Sequence, residues 1–302
     1  MNSFFCSPTQ IKVVMGSGDS KVVKIENYAV SMIPEGSMIN GIITDEEALT
    51  NALASLASEY ELDKDDSHLV IDSNSIMVKT MDVPPVSEQQ IIEFIEREFS
   101  QYGEEGDDAE KLYDYTVINP QASSGGVTVM AVSASKEFIK SYRTAFVSAG
   151  INLKGINIGL NSLIKLGHFL PQLQSGTFVL AIVDGKNLAF TLFNEGEYSL
   201  TNKYRLLNMI GTPEWQSEIG DNLSSMIQFN KGQKDTSDIE AVYFAGIIPQ
   251  EVESLKGNLS YLNIEIGALN TSGSVIYSEK ISSKGGFTAG DFLYNIGNLL
   301  KK

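Results

Sequence analysis

The sequence predicts an α/β protein in which one plan of elements, β-β-β-α-β-α, occurs twice, with a small β-β-α unit inserted between the copies. Three observations carry this. Residues 11–33, IKVVMGSGDSKVVKIENYAVSMI, and residues 177–206, TFVLAIVDGKNLAFTLFNEGEYSLTNKYRL, each read as β-rich stretches joined by turns. Each leads into a segment with apolar residues at helical spacing. Between the copies, YDYTVIN and VTVMAVSAS are two further strands followed by one helix.

The first copy begins with FFCSPTQIKVV at 4–14, two strands around the turn Ser7, Pro8, Thr9 and Gln10. Residues 11–33 read as three β stretches broken at GSGDS and at EN, with Gly16 and Gly18 expected at positive φ in a tight turn. No helix start follows GSGDS, so it is not a phosphate loop. Thr44 and Glu47 form a capping-box pattern, and Ala48, Leu49, Ala52, Leu53, Leu56 and Ala57 repeat at helical spacing up to about Tyr60. HLVIDSNSIMVKTMDVPP supplies two more strands. Ser87 and Gln90 then open a second capped helix bearing Ile91, Ile92, Ile95 and Phe99.

The acidic stretch QYGEEGDDAE at 101–110 reads as a solvated loop. The insert comprises YDYTVIN, the loop QASSGG, VTVMAVSAS and a helix over 136–149 closed by Gly150. A short strand, INLKGINIG, and a helix over 160–169 lead to the second copy. There the pattern predicts three strands, a helix over 213–230, the strand AVYFAGII, a helix over 249–257, the strand LNIEIG and a terminal helix over 288–301. Phe292, Leu293, Ile296, Leu299 and Leu300 share one face of that helix. With only Lys301 and Lys302 as cations, core packing is expected there rather than binding to a membrane surface. The resulting division is a first lobe at 1–109, the insert at 110–155 and a second lobe at 156–302. Such duplications place a ligand cleft between halves.

Composition excludes several function classes. The 302 residues carry 22 basic and 38 acidic side chains, a formal charge of −16, which repels nucleic-acid backbones and anionic membranes. Hydrophobic content of 42% and a mean hydropathy of −0.04 are ordinary for a soluble folded chain. No apolar run is long enough to span a bilayer and no signal-peptide pattern opens the chain. Cys6 is the single cysteine and cannot form an internal disulfide. The expectation is a cytoplasmic protein without membrane insertion. His68 and His168 are far apart, with no zinc spacing, and no Gly-x-Ser-x-Gly elbow occurs, so neither a metal nor catalytic residues are expected.

KVVKIENYAVSMIPEGSMINGIITDEEALTNAL, SIMVKTMDVPPVSEQQIIEFIEREFSQY, YDYTVIN and VTVMAVSASKEFIKSYRTAFVSAGINLKGINI together resemble the PilM family of type IV pilus assembly proteins. The likeness weakens after about residue 170. It implies the duplicated actin-like (RNase H-like) fold shared with the cell-division protein FtsA, two lobes with the small inserted subdomain. It also implies two hairpin turns that bind ATP phosphates through backbone N–H groups, with an aspartate for Mg²⁺ or water. Aligned through IKVV, the aspartate falls on Phe5 and the glycine on Ser7, followed by Pro8 and Thr9. Phe5 cannot hold a metal and Pro8 has no N–H. In one of two alignments Asp184 and Gly185 stand at the second turn, and the adenosine-side glycine pair is reduced to Gly246. The implied site, Ser7, Thr9, Asp184, Gly185 and Gly246, is degenerate, and no cofactor is expected; the alternative is ATP with Mg²⁺ held near Asp184 and Thr9.

The family's inserted subdomain borders a cleft that receives the extended cytoplasmic tail of the membrane protein PilN. The strand edge and helix of MDVPPVSEQQIIEFI, with Val83, Pro84, Ile92 and Ile95, are the residues expected to take it. The competing reading is that Val83, Ile92 and Ile95 pack the core. The implied function is a cytoplasmic scaffold at the inner face of the membrane, bound to a PilN-like tail and to other pilus assembly proteins. The alternatives are a working PilM-type ATPase switch and the cytoplasmic part of a GspL-like type II secretion protein.

Overall fold

The computed structural model describes residues 1–101, 110–120, 122, 125–233, 236–284 and 286–301. The acidic loop expected at 101–110 falls almost wholly outside the described residues, as do positions 121, 123 and 124 of the expected QASSGG loop. The chain forms two compact units, one of residues 1–13 with 29–161 and one of 14–28 with 162–302.

In chain order the first fourteen elements are β1 (Asn2–Cys6), β2 (Gln10–Gly18), β3 (Val23–Met32), the short pair β4 (Met38–Ile39) and β5 (Ile42–Ile43), α1 (Glu46–Glu59), β6 (Ser67–Ile71), β7 (Met77–Val83), α2 (Glu88–Ser100), β8 (Lys111–Asn119), β9 (Val127–Ser135), α3 (Lys136–Ser148), β10 (Leu153–Ile158) and α4 (Gly159–Phe169). In the first unit β6 pairs in parallel with β1 on one side and β10 on the other. The apolar residues Phe4, Phe5, Leu69, Val70 and Ile71 of β1 and β6 are buried, as neighbouring strands in a parallel pair favour. Phe4 of β1 meets Phe146 of α3 edge-on at 5.2 Å, and the buried Tyr142 hydroxyl donates to the Gly41 carbonyl at 2.5 Å.

Several local expectations are corrected. Residues 11–33 hold two strands, not three, because β3 runs unbroken through Glu26 and Asn27. The turn lies at Asp19–Val22, where the Asp19 carboxylate accepts the N–H groups of Lys21 and Val22 at 2.7 and 2.9 Å. Those bonds, that of Lys21 foremost, hold its carboxyl below the usual range. Gly16 and Gly18 are strand residues without positive φ. They are required by close approach: a Cβ on Gly16 would lie 2.3 Å from the Lys24 carbonyl oxygen, and one on Gly18 2.8 Å from that of Leu299. The cap of α1 is Asp45, which accepts from Ala48 N, because the Thr44 hydroxyl is engaged by the Gly36 carbonyl. The capping box of Ser87 and Gln90 on α2 forms as expected. Helix α3 ends one residue early, at Ser148, with Gly150 at φ 75° beyond its cap.

The second unit continues with β11 (Phe178–Asp184), β12 (Asn187–Asn194), β13 (Glu197–Arg205), α5 (Pro213–Lys231), β14 (Ala241–Ala245), α6 (Pro249–Asn258), β15 (Glu265–Ala268), β16 (Val275–Tyr277), α7 (Glu279–Lys284) and α8 (Leu293–Leu299). Its sheet has the order β13-β12-β11-β14-β15. The hairpin partners β11 and β12 are antiparallel, whereas β11 and β14 run parallel, with Phe178 opposite Ala241. Trp215, Ile219, Leu223 and Met226 of α5 close the core over this sheet. The short strand β16 pairs in parallel with the start of β3, Val275 opposite Val23. Neither β16 nor α7 was expected. The terminal helix is shorter than the sequence suggested: a 3-10 turn at Ala289–Phe292 leads into α8, and every residue of α8 is buried. Phe292, Leu293, Ile296, Leu299 and Leu300 are core, in agreement with the packing expectation.

Candidate functional site

In the first unit β7, β9 and β8 form a separate three-stranded antiparallel sheet with β9 in the centre. Side chains alternate across a strand, so its two faces have different fates. On one face, Val129 and Ala131 of β9 and Val83 of β7 pack against Ile91, Ile95 and Phe99 of α2, with Tyr113 and Tyr115 of β8 at the border. On the other face, Met130, Val132 and Ala134 of β9 and Leu112, Asp114 and Thr116 of β8 line a groove of about 340 Å³. Ile139 of α3, Ile156 and Ile158 of β10, Ile76 and Asn161 form its remaining walls.

The lining is mainly apolar, with Asp114, Thr116, Asn157 and Asn161 among its polar side chains. Asp114 is the one charged side chain of the lining, and one of its oxygens accepts its neighbour's N–H, Tyr115 N, at 2.8 Å. At the floor Asn161 donates to Asn157 Oδ1 at 2.8 Å, while its own carbonyl oxygen is buried without a partner. β8 pairs with β9 alone, so its outer edge is open among the described residues. Burial of the Tyr115 ring raises its phenol pKa, with Glu88 and Asp114 adding to the effect.

The residues expected to take a peptide are thus split. Val83 and Ile95 are fully buried on the face that α2 covers, Ile92 is half-buried and Pro84 exposed. The groove lies on the opposite face of the same sheet, away from these four residues. Along VTVMAVSAS the side chains alternate: Val129 and Ala131 face α2, and Met130, Val132 and Ala134 face the groove.

The expected phosphate-turn residues fall in two places. In the first unit Ser7 is buried and turns on itself, its N–H and its hydroxyl both donating to the Gln10 carbonyl at 2.9 and 3.2 Å. Thr9 is exposed and its carbonyl accepts Ile33 N. Behind the turn Phe5 is core, and burial pushes the Cys6 thiol up to about 12. In the second unit Asp184, Gly185 and Gly246 come together at the carboxyl ends of the parallel strands β11 and β14, the usual end for ligands in such sheets. Gly185 takes φ 59° at the tip of the β11–β12 hairpin, with open space around it. Gly246 takes φ 82°, and a Cβ there would sit 2.0 Å from the Val183 carbonyl oxygen. A glycine that the sequence reading missed joins them: Gly290, whose Cβ would stand 3.3 Å from Gly246 N. Its signal was the small-residue run TAG before the terminal helix.

His68 lies in β6, and His168 Nε2 stands 3.8 Å from Glu197. Among the described residues no three His, Cys, Asp or Glu side chains gather as a metal site. No described helix is long and apolar enough to cross a membrane.

The family model described as type IV pilus assembly protein PilM matches residues 6–198, more than half of the chain. No curated protein sequence matches closely enough to count as a relative. Among solved structures, a PilM-PilN type IV pilus biogenesis complex aligns at 15% identity and a TM-score of 0.78, over 99% of this chain and 97% of that one. A Bacteroides thetaiotaomicron protein with an actin-like ATPase fold aligns at 12% identity and a TM-score of 0.51, over 90% and 91% of the two chains. The cytoplasmic domain of EpsL, an inner-membrane component of the Vibrio cholerae type II secretion system, aligns at 10% identity and 0.50, over 99% and 94%. At these identities the likeness establishes the fold, and the fold is the actin-like one.

Proposed function

Because this chain belongs to the PilM family of type IV pilus assembly proteins, we propose that it is a cytoplasmic scaffold that captures the extended tail of a PilN-like inner-membrane protein in the groove beside β8. One observation carries the reading. A half-enclosed apolar groove runs along β8, a strand that among the described residues pairs with no strand on its outer side, which is the arrangement that binds extended peptides through main-chain hydrogen bonds and alternating side chains. A solved relative is itself a PilM-PilN complex. Partners of this kind would hold the protein at the membrane, with other pilus assembly proteins attached to the same scaffold.

On this reading ATP is not turned over. The first hairpin has spent its serine on its own turn and carries Pro8 where an N–H donor would stand. A second reading, an ATP-binding switch, draws on the open Gly185 turn and on Gly246 and Gly290 beside it. Gly246 is equally demanded by packing, since no side chain fits against Val183.

Isothermal titration separates the two. A synthetic peptide of the partner's cytoplasmic tail is expected to bind saturably, and Mg-ATP to give no heat at high protein concentration. Leu112→Asp, at an exposed groove position, is expected to weaken the peptide on the order of tenfold or more, because it sets a charge against an apolar ligand. Ile92→Ser is expected to change the affinity little. Stoichiometric ATP binding would replace the scaffold with the switch. Peptide binding lost with Ile92→Ser and kept with Leu112→Asp would move the site back to the α2 side.

A further inference from the structure

From Leu206 to Asn230 the chain contains Glu214, Glu218 and Asp221 and no lysine or arginine. This stretch opens with a loop in which three apolar side chains within four residues face solvent: Leu207 is 83% exposed, Met209 78% and Ile210 38%. Single exposed apolar residues are ordinary on protein surfaces, but a cluster of this kind marks a contact site.

The loop is built rather than slack. The Glu218 carboxylate reaches back from α5 and accepts Leu207 N at 2.9 Å, Asn208 N at 3.2 Å and the Asn208 side-chain amide at 3.0 Å. At the other end Thr212 donates its hydroxyl and its N–H to the Met209 carbonyl at 2.8 and 3.2 Å. Leu206, fully buried, anchors the entry. A loop backbone held in this way loses little freedom when a partner covers it, which is how preorganised contact loops gain affinity.

An open depression adjoins the loop, lined by Leu207, Asn208 and the acidic side of α5 with Glu214, Ser217 and Asp221. Glu251 stands nearby, 3.5 Å from where a Cβ of Gly211 would be, and caps Ile248, which is itself 57% exposed. Apolar groups are therefore flanked by carboxylates. The nearest cations along the chain, Lys203 and Arg205, belong to β13 ahead of the loop.

We infer that the 207–211 loop and the acidic side of α5 form a second docking surface, for a cationic amphipathic segment of a partner protein whose apolar side chains cover Leu207, Met209 and Ile210 and whose lysines or arginines face Glu214 and Asp221. An anionic lipid surface has apolar chains to offer too, but it is repelled by the same carboxylates. The surface belongs to the second unit and shares no residue with the groove beside β8.

The test is selection of phage-displayed random peptides on the whole chain, followed by titration of the enriched peptides. Enriched sequences are expected to combine apolar residues with at least two lysines or arginines. Leu207→Ser/Met209→Ser is expected to weaken them roughly tenfold or more, and Glu214→Gln/Asp221→Asn a few-fold, the latter difference vanishing in high salt. All four positions are solvent-facing, so the melting temperature of both variants should match that of the parent. Peptides that bind the double apolar variant as well as the parent overturn the inference. So does enrichment of uncharged or acidic peptides, or binding of the parent to anionic vesicles that the apolar variant loses.

Discussion

The two β-β-β copies place a hairpin turn at the same point of the same topology and give it opposite chemistry. In the first, between β1 and β2, the Ser7 N–H and hydroxyl both close on Gln10, Pro8 offers no donor, and Phe5 and Cys6 behind the turn are core. In the second, between β11 and β12, Asp184 pairs with Asn187 while Gly185, at φ 59°, and an exposed Lys186 form the tip. One turn closes on itself through Ser7 and Gln10 with Thr9 left exposed; the other has open backbone with charges of both signs. A hairpin is held by its strand pairing and its turn geometry, neither of which requires a ligand. The fold can therefore keep a hairpin at this point whether or not its turn meets a ligand, and in the first copy Ser7 and Gln10 satisfy one another.

The largest effects should come from positions where the copies are held by packing alone. Gly246→Ala forces a side chain into φ 82° and against the Val183 carbonyl, and should cost about 4 kcal/mol or more in urea melts. A cost below about 1 kcal/mol would mean that the turn after β14 has room to move, and the open character of the second hairpin would extend into the sheet. Phe5→Ala should cost about 3 to 4 kcal/mol, because it empties a site that the structure uses as core. A much smaller loss would show that Phe5 is not packed as a core residue and would weaken the view of the first turn as closed.

How far the sequence carried these conclusions varied with the kind of signal. Strand order in the second copy was legible because Asp-Gly and Glu-Gly turns punctuate alternating apolar runs, and β11, β12 and β13 form as expected. The duplicated α/β plan followed from the repeated pattern, and the actin-like fold from the family resemblance. Boundaries failed where a residue's partner is remote in sequence: Gly16 and Gly18 look like turn glycines until Lys24 and Leu299 are seen against them. β16 was invisible because three residues cannot show a period, and it exists only through its pairing with β3. Along β9 the alternation distinguishes two faces without saying which one α2 covers. Val83 and Ile95, chosen for their place near a proline pair, went to the covered face.

A smaller effect sets the fixed loop of the second unit apart from both hairpin turns, because it depends on charge. Slight desolvation raises the Glu218 carboxyl, but the N–H groups of Leu207 and Asn208 and the Asn208 amide outweigh it, and the net shift is below the ordinary value of 4.5. A carboxyl whose folded value is depressed adds stability above its unfolded value and loses it as pH falls through the folded one. The parent should therefore be more stable than Glu218→Gln at neutral pH, and the difference should shrink below about pH 4.5 as the carboxylate protonates in both states. A gap that persists unchanged well below that pH would assign the effect to side-chain packing instead of charge.

The smallest effects test the turns themselves. Gly185→Ala has space around it and should cost only the strain of positive φ, about 1 kcal/mol. Ser7→Ala removes one hydroxyl bond to Gln10 and should cost about 1 kcal/mol or less, since the Ser7 N–H bond to the same carbonyl remains. If Ser7 instead served a ligand, its replacement would leave the melting curve of the free protein unchanged and alter only the melt taken with Mg-ATP. The closed-turn reading requires the reverse, a shift in the free protein that added nucleotide does not change.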